Sequence, residues 1–135
     1  MAAANSEFAD VCRRAADILA RVEGYFLDRV LVDTAPTDGS VDIHLRLGPT
    51  APDVVVSLTK VVHASIEHFL EPDAAFVDEI RLKHIAGGHR SWPDGLTGLG
   101  PRPPGTPDVA WLIIEGPMRV EVVAQTITVA VAQVY

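Results

Sequence analysis

The side chains of this chain that could do chemistry include five histidines and one cysteine, and their spacing decides whether they could act together. His63 and Glu67 lie four residues apart, which suits two metal ligands on a helix but not on a strand. The sequence has no H-x-H, H-E-x-x-H or paired Cys/His pattern that would join the histidines into one site. We therefore predict neither a metal site nor a cofactor.

The sequence also lacks a recognisable pair of side chains that could act together in catalysis. Cys12 falls within an apolar helical stripe, which favours a small core residue over a reactive thiol. Asp78 and Glu79 are adjacent in a predicted strand, so they point to opposite faces and could not act on one substrate. No G-x-S-x-G, P-loop or G-x-G-x-x-G motif is present. The sequence favours a non-catalytic protein and leaves an enzyme as the alternative.

Residues 86–108 form the segment best suited to binding. They contain six glycines and five prolines, which exclude a helix or a continuous strand and predict a long loop. Trp92 on this loop could either plug the sheet or be presented to a partner. His84 falls on the apolar face of the preceding strand, as a core or rim histidine does. The candidate binding residues are His84, His89, Arg90, Trp92 and Asp94.

The length and net charge of the chain limit the kinds of protein that it could be. The chain has 135 residues, which predicts a single domain spanning 1–135, and its net charge is −7. An acidic surface repels phosphate backbones, so we expect no nucleic-acid partner. There is no apolar run of roughly 18 residues, and the first residues lack the features of a signal peptide. We therefore expect no membrane association and a cytoplasmic location.

The elements that would position these residues begin with one amphipathic helix at residues 6–23. Asn5 or Ser6 could cap its start, and Gly24 could follow its end. Its stripe needs an apolar surface to pack against. The stripe consists of Phe8, Val11, Cys12, Ala15, Ile18, Leu19 and Val22.

Strands account for most of the remaining chain. The stretch 54–70 is ambiguous, because its β-branched content favours a strand with a bulge or bend near Thr59 and Lys60. The alternative is a strand to Leu58 followed by a helix from Lys60 to Leu70. The predicted strands lie at about 25–34, 41–47, 53–58, 61–69, 76–85, 109–115 and 118–131.

The last quarter of the chain predicts a hairpin about Gly116 and Pro117. A two-residue type II′ turn there would pair Trp111 with Val122. The same register would create an apolar face that we expect to receive the helix. That face consists of Val109, Trp111, Ile113, Val120 and Val122.

These patterns predict an α+β fold, with an N-terminal amphipathic helix packed on a mainly antiparallel β-sheet or a two-layer β-sandwich. The acidity, the lack of a catalytic pattern and the Trp92 loop favour a protein-binding domain of inhibitor or immunity type with a basic protein partner. One alternative is a small-molecule-binding protein or enzyme with a pocket under the 86–108 loop, using His84, His89 and Asp94. Another is a structural homo-oligomer, such as a homodimer paired through a C-terminal strand edge.

Overall fold

The structure is a computed structural model that describes residues 2–34, 39–47, 52–68, 76–88, 91–96, 99, 101–116 and 118–131. The side chains of residues 2–6 and 68 are not described. The predicted strand end at residue 69, and the predicted residues Leu70, His89, Arg90 and Pro117, lie outside the described residues. The described elements are α1 (Ala2–Ala20), β1 (Phe26–Asp33), β2 (Ser40–Arg46), β3 (Val54–His68), β4 (Glu79–Ile85), β5 (Val109–Glu115) and β6 (Met118–Val131).

The strands form one antiparallel sheet with the order β1-β2-β3-β6-β5-β4. Helix α1 packs on one face of this sheet, over β4 and β6. The predicted α+β fold with an N-terminal helix on an antiparallel sheet is therefore confirmed. Of the two arrangements left open by the sequence, the described residues have the single sheet and not the two-layer sandwich.

Helix α1 turns its apolar stripe towards the sheet, as predicted. Its buried side chains join one continuous core with β1, β2, β3, β5 and β6. Full burial of a side chain as large as leucine stabilises a fold by about 1.5–3 kcal/mol. The buried stripe of the helix consists of Cys12, Ala15 and Leu19, with Phe8 and Val11 packed at its margin, and Val22 joins the same core just after the helix ends.

The limits of α1 differ from the prediction at both ends. The helix begins at Ala2, so Asn5 and Ser6, which were expected to cap it, lie inside it. The alanines at its start have high helix propensity, which explains why the helix extends upstream. At the other end it stops at Ala20, and Gly24 then has a φ of 92°, the left-handed conformation that redirects the chain.

The ambiguous stretch is one long strand, β3, and the alternative of a helix from Lys60 is wrong. Pairing with β2 on one side and β6 on the other outweighs the helical stripe. The irregularity predicted near Thr59 and Lys60 is present, because Lys60 has a φ of 51° and the register shifts between Val61 and His63. His63 and Glu67 therefore lie on a strand, where their spacing does not match a pair of metal ligands.

The hairpin between β5 and β6 forms, but its register differs from the prediction by one residue. Trp111 pairs with Val123 and Leu112 pairs with Val122, whereas the prediction paired Trp111 with Val122. A shift of one residue exchanges the two faces of a strand. The predicted helix-receiving face is therefore wrong. Val120 and Val122 do face α1, but the opposite side of the sheet holds Val109, Trp111 and Ile113.

The turn differs because Gly116 serves close packing and not a type II′ conformation. It lacks the positive φ that a type II′ turn requires at this position. A Cβ atom on Gly116 would collide with the carbonyl oxygen of Phe76. Nearby, the backbone N–H of Asp78 donates to the carbonyl oxygen of Glu115 at 2.8 Å. The chain entering β4 thus crosses the turn, and glycine leaves room for it.

Two apolar clusters lie on opposite faces of the sheet. One is on the helix face, which α1 covers. The other is on the loop face, which Trp92, Leu96 and Leu99 of the long loop partly cover. Strand β5 contributes to both, which explains its uninterrupted apolar sequence. The loop-face cluster consists of Ile85, Leu96, Val109, Trp111, Ile113 and Val123, with Trp92 and Leu99 packed against it.

Candidate functional site

The long loop covers the loop face, and Trp92 is part of this cover. Its half-buried side chain packs against the loop-face cluster, close to the buried Leu96. The guanidinium of Arg102 lies over the indole, 4.6 Å from the ring centroid. These contacts match a plug, one of the two roles predicted for Trp92. Asp94 lies at an exposed turn of the same loop.

His84 lies on the helix face, because it pairs with Ala110 of the helix-side core. Its Nε2 is 2.6 Å from Asp108 Oδ2, and Asp108 Oδ1 accepts the backbone N–H of Gly87 at 2.6 Å. These contacts match a satisfied rim histidine. The sheet separates His84 from Trp92, so the structure does not bring these two predicted binding residues together around one pocket.

Cys12 of α1 is buried near this corner and is not activated as a nucleophile. Burial, and to a lesser extent the Asp108 carboxylate, raises the pKa of the Cys12 thiol to about 11. The thiol therefore stays protonated at neutral pH, whereas the thiolate is the nucleophilic form. This environment fits the predicted core residue.

Glu121, which the sequence did not single out, is a buried acidic residue on the loop face. It is 5% exposed. Trp111 Nε1–H donates to Glu121 Oε2 at 3.0 Å, and Arg119 Nη2 lies 3.6 Å from the same oxygen. His63 Nε2 lies 3.4 Å from the other oxygen, Oε1. Both oxygens are thus engaged, as a buried carboxylate requires.

One weak signal for Glu121 is present in the sequence, namely a single acidic residue among valines in V-E-V-V. A charge in such a stretch is buried only where partners surround it. Those partners are distant in sequence, since Trp111 and His63 lie 10 and 58 residues away. Strand pairing brings them together, and local patterns do not encode it.

A groove of about 510 Å³ opens beside His63, where β3 is irregular. Lys60, His63 and Gln125 supply polar groups to its lining, and Val32 and Val62 supply apolar surface. The φ of 51° at Lys60 is uncommon for a residue other than glycine and places backbone strain at the groove. Asp33, Thr34 and Ser40 also line the groove, which therefore combines polar and apolar surface beside an irregular strand.

Two exposed aromatic rings mark a different surface, where the start of β1 meets the residues before β4. Phe26 and Phe76 form an isolated β-bridge, and their ring centroids are 4.2 Å apart. They are 40% and 45% exposed, respectively. Asp28 and Asp78 each follow one of the rings by two residues, are exposed, and form no ion pair with another described residue. We call these four residues the Phe26–Phe76 patch.

No group of three or more His, Cys, Asp or Glu side chains in the described ranges is arranged to hold a metal ion. Helix α1 is not apolar enough along its length to cross a membrane, and the described part of the chain has no other helix that could. No protein-family model, curated protein or solved structure matches this chain. A function for the protein therefore rests on its own contacts and charges.

Proposed function

We propose that this protein is a non-catalytic domain that binds a basic protein partner, in the manner of an inhibitor or immunity protein. The observation that carries the proposal is the Phe26–Phe76 patch, in which two exposed rings lie against each other and an exposed aspartate follows each ring by two residues. Large apolar side chains exposed together are typical of surfaces that a partner covers. Aromatic residues are also frequent among the side chains that dominate binding energy.

The patch suits a lysine or arginine side chain of the partner. A cation held over an aromatic ring gains about 0.5–2 kcal/mol, depending on how far it is desolvated. Asp28 and Asp78 would add charge-assisted hydrogen bonds to the same cation. Neither carboxylate would have to break an ion pair with a described residue.

The charge of the whole chain supports the same kind of partner. A net charge of −7 attracts a basic protein and accelerates its association. Several acidic residues elsewhere are already paired with arginines, namely Asp10, Asp53 and Glu115. The acidic residues of the patch therefore remain available for an incoming cation.

The reactive side chains favour binding over catalysis. The Cys12 thiol is protonated at neutral pH, and the carboxylates of Asp108 and Glu121 are engaged by neighbouring groups. The proposal places recognition at the Phe26–Phe76 patch and not at the long loop, because Trp92 packs against the sheet. The loop then acts as a structural cover.

Affinity capture from a cell lysate tests the proposal. Immobilised wild-type protein should retain one or more basic proteins. Phe76→Thr and Asp78→Lys should each reduce that retention at least about tenfold, since the loss of a strong interface side chain costs 1.4 kcal/mol or more. Leu31→Thr is the matched control, because Leu31 is also an exposed apolar residue of β1 but lies outside the patch.

Circular dichroism melting curves would verify that each variant folds before capture is compared. The control should retain the same basic proteins as the wild type. Equal retention by the wild type and both patch variants would refute the proposal, and so would the absence of any retained basic protein.

A further inference from the structure

Strand β6 extends beyond its neighbour β5, which leaves part of one edge open. On one side β6 pairs with β3 along its length. On the other side its pairing with β5 ends at Ala124. Along residues 125–131 the described part of the chain supplies no strand and no backbone hydrogen bond on that side. The backbone N–H and C=O groups that face this side are available for pairing.

The open edge of β6 differs in charge from the two outer edges of the sheet. The sequences of β1 (FLDRVLVD) and β4 (EIRLKHI) each carry three charged side chains, and β1 also has a register shift. Charges and bulges on edge strands discourage edge-to-edge association. Residues 125–131 read Q-T-I-T-V-A-V and have no charge, proline or glycine. This edge lacks the charged side chains and prolines that keep strand edges apart.

An irregularity within β6 separates its last residues from β5. Ala124 and Ile127 both belong to the helix-side core, although an odd spacing would place them on opposite faces of a regular strand. The strand therefore changes face between them, at the point where pairing with β5 ends. Beyond it, Ile127 is buried towards α1 and Thr128 is exposed.

A shallow groove of about 290 Å³ lies between α1 and this part of β6. Strand β6 thus offers backbone hydrogen-bonding groups and apolar surface close together. Alternate side chains of an added strand would lie on the helix side of the sheet, where apolar contacts are available. The groove is lined by Val11, Arg14, Ala15, Ile18, Ile127, Thr128 and Val129, so one cationic side chain borders its apolar surface.

We propose that the open edge of β6 pairs with the same edge of a second copy of this chain, antiparallel and about a twofold axis. Each copy has a net charge of −7, so repulsion opposes self-association through charged surfaces. Residues 125–131 carry no charge, so pairing through them brings no like-charged side chains of β6 together. Antiparallel pairing also makes a strand self-complementary, because both copies offer the same donors and acceptors.

The expected dimer has its twofold axis near Thr128, the middle of residues 125–131. A pairing of this length is small compared with the roughly 800 Å² that each partner buries in a standard interface. We therefore expect a dimer that dissociates on dilution. The contact is independent of the Phe26–Phe76 patch, which lies where β1 approaches β4, so the failure of either proposal leaves the other standing.

Sedimentation velocity on the full chain tests the pairing. At about 100 µM the wild type should sediment with twice the chain mass of 14.5 kDa, and near about 1 µM it should be monomeric. Thr128→Lys should raise the dissociation constant at least about tenfold, because two lysines would meet at the axis. If Thr128→Lys does not fold, Ala130→Lys introduces the same charge at another exposed position of this edge.

Ser57→Lys is the matched control. Ser57 is the register partner of Thr128 on β3, so it carries the same charge about 4.8 Å away, on the neighbouring strand and not at the edge. It should dimerise like the wild type. A wild type that stays monomeric at every concentration would overturn the proposal. The same conclusion would follow if the edge lysine left the dimer intact, or if Ser57→Lys weakened it equally.

Discussion

The hydrogen bond between Trp111 and Glu121 should make a measurable contribution to the free energy of unfolding. The donor and acceptor atoms are 3.0 Å apart, and Glu121 is 5% exposed. A hydrogen bond to a charged group contributes about 1.5–3 kcal/mol, and burial limits its screening by water. The contacts of Glu121 with His63 and Arg119 are longer, at 3.4 and 3.6 Å, and should contribute less.

A double-mutant cycle isolates this bond from the rest of the cluster. Trp111→Phe removes the N–H donor but keeps an aromatic ring, and Glu121→Leu removes the acceptor. Urea unfolding followed by circular dichroism gives the free energy of each variant. Each single substitution should destabilise the fold by about 1–3 kcal/mol, and the coupling free energy should be about 1.5–3 kcal/mol. Glu121→Gln keeps an acceptor oxygen and should cost less than Glu121→Leu.

Asp108 provides the control cycle. It is also a partly buried carboxylate, but its described contacts are with His84 and Gly87 and not with Glu121 or Trp111. The cycle of Asp108→Leu with Trp111→Phe should give a coupling below about 0.5 kcal/mol, because side chains without a shared partner are additive. A coupling equally small in the Glu121 cycle would refute the reasoning, since the hydrogen bond between the indole and the buried carboxylate would then contribute no stability.

Three further predictions concern the strained backbone and the buried thiol. Lys60→Gly should raise the free energy of unfolding by about 0.5–1 kcal/mol in urea titrations, because relief of left-handed strain exceeds the added entropy of the unfolded chain; an unchanged or lower value would contradict this. Ellman's reagent at pH 8 should label Cys12 at least about 100-fold more slowly in the folded protein than in urea, because a pKa of about 11 leaves little thiolate; equal rates would contradict it. The raised pKa means that the folded state holds the thiol proton more tightly than the unfolded chain does. The free energy of unfolding should therefore be unaffected by Cys12 below the ordinary pKa of 9.0 and should decline as pH rises from there towards about 11. Cys12→Ala should lack that decline.

The parts of the fold that depend on local pattern could be predicted from the sequence. The helical stripe ending in Leu19 and Val22 is buried as its spacing indicated. The alternation of residues 41–47 predicted β2, because apolar and polar side chains on opposite faces repeat every second residue. The bend of β3 at Lys60 was also predicted from the sequence, since the apolar alternation breaks there.

The hairpin register was predicted wrongly because a contact from elsewhere in the chain decides it. Gly116 and Pro117 matched a two-residue turn, but the carbonyl oxygen of Phe76 occupies the space beside Gly116. The one-residue shift moved Trp111 from the expected helix side to the loop face. A turn motif read from sequence takes no account of another segment that packs across it.

The candidate sites were also predictable from the sequence only where they depend on local residue types. The loop was identified from its glycines and prolines, and Trp92 was identified as a residue that either plugs or binds. The polar cluster around Glu121 was missed, because its members come from three strands. The Phe26–Phe76 patch was also missed, because neither phenylalanine is unusual until a β-bridge brings the two together.

The amino-acid sequence was enough to predict the secondary structure class and the acidity of this protein. Side-chain periodicity selects helix or strand from nearby residues, and charge is a sum over the composition. The tertiary structure alone decided which faces are buried, which carboxylate is enclosed and which strand edge is left open. Those features depend on contacts between residues far apart in the chain, and a shift of one residue in strand pairing is enough to reverse them.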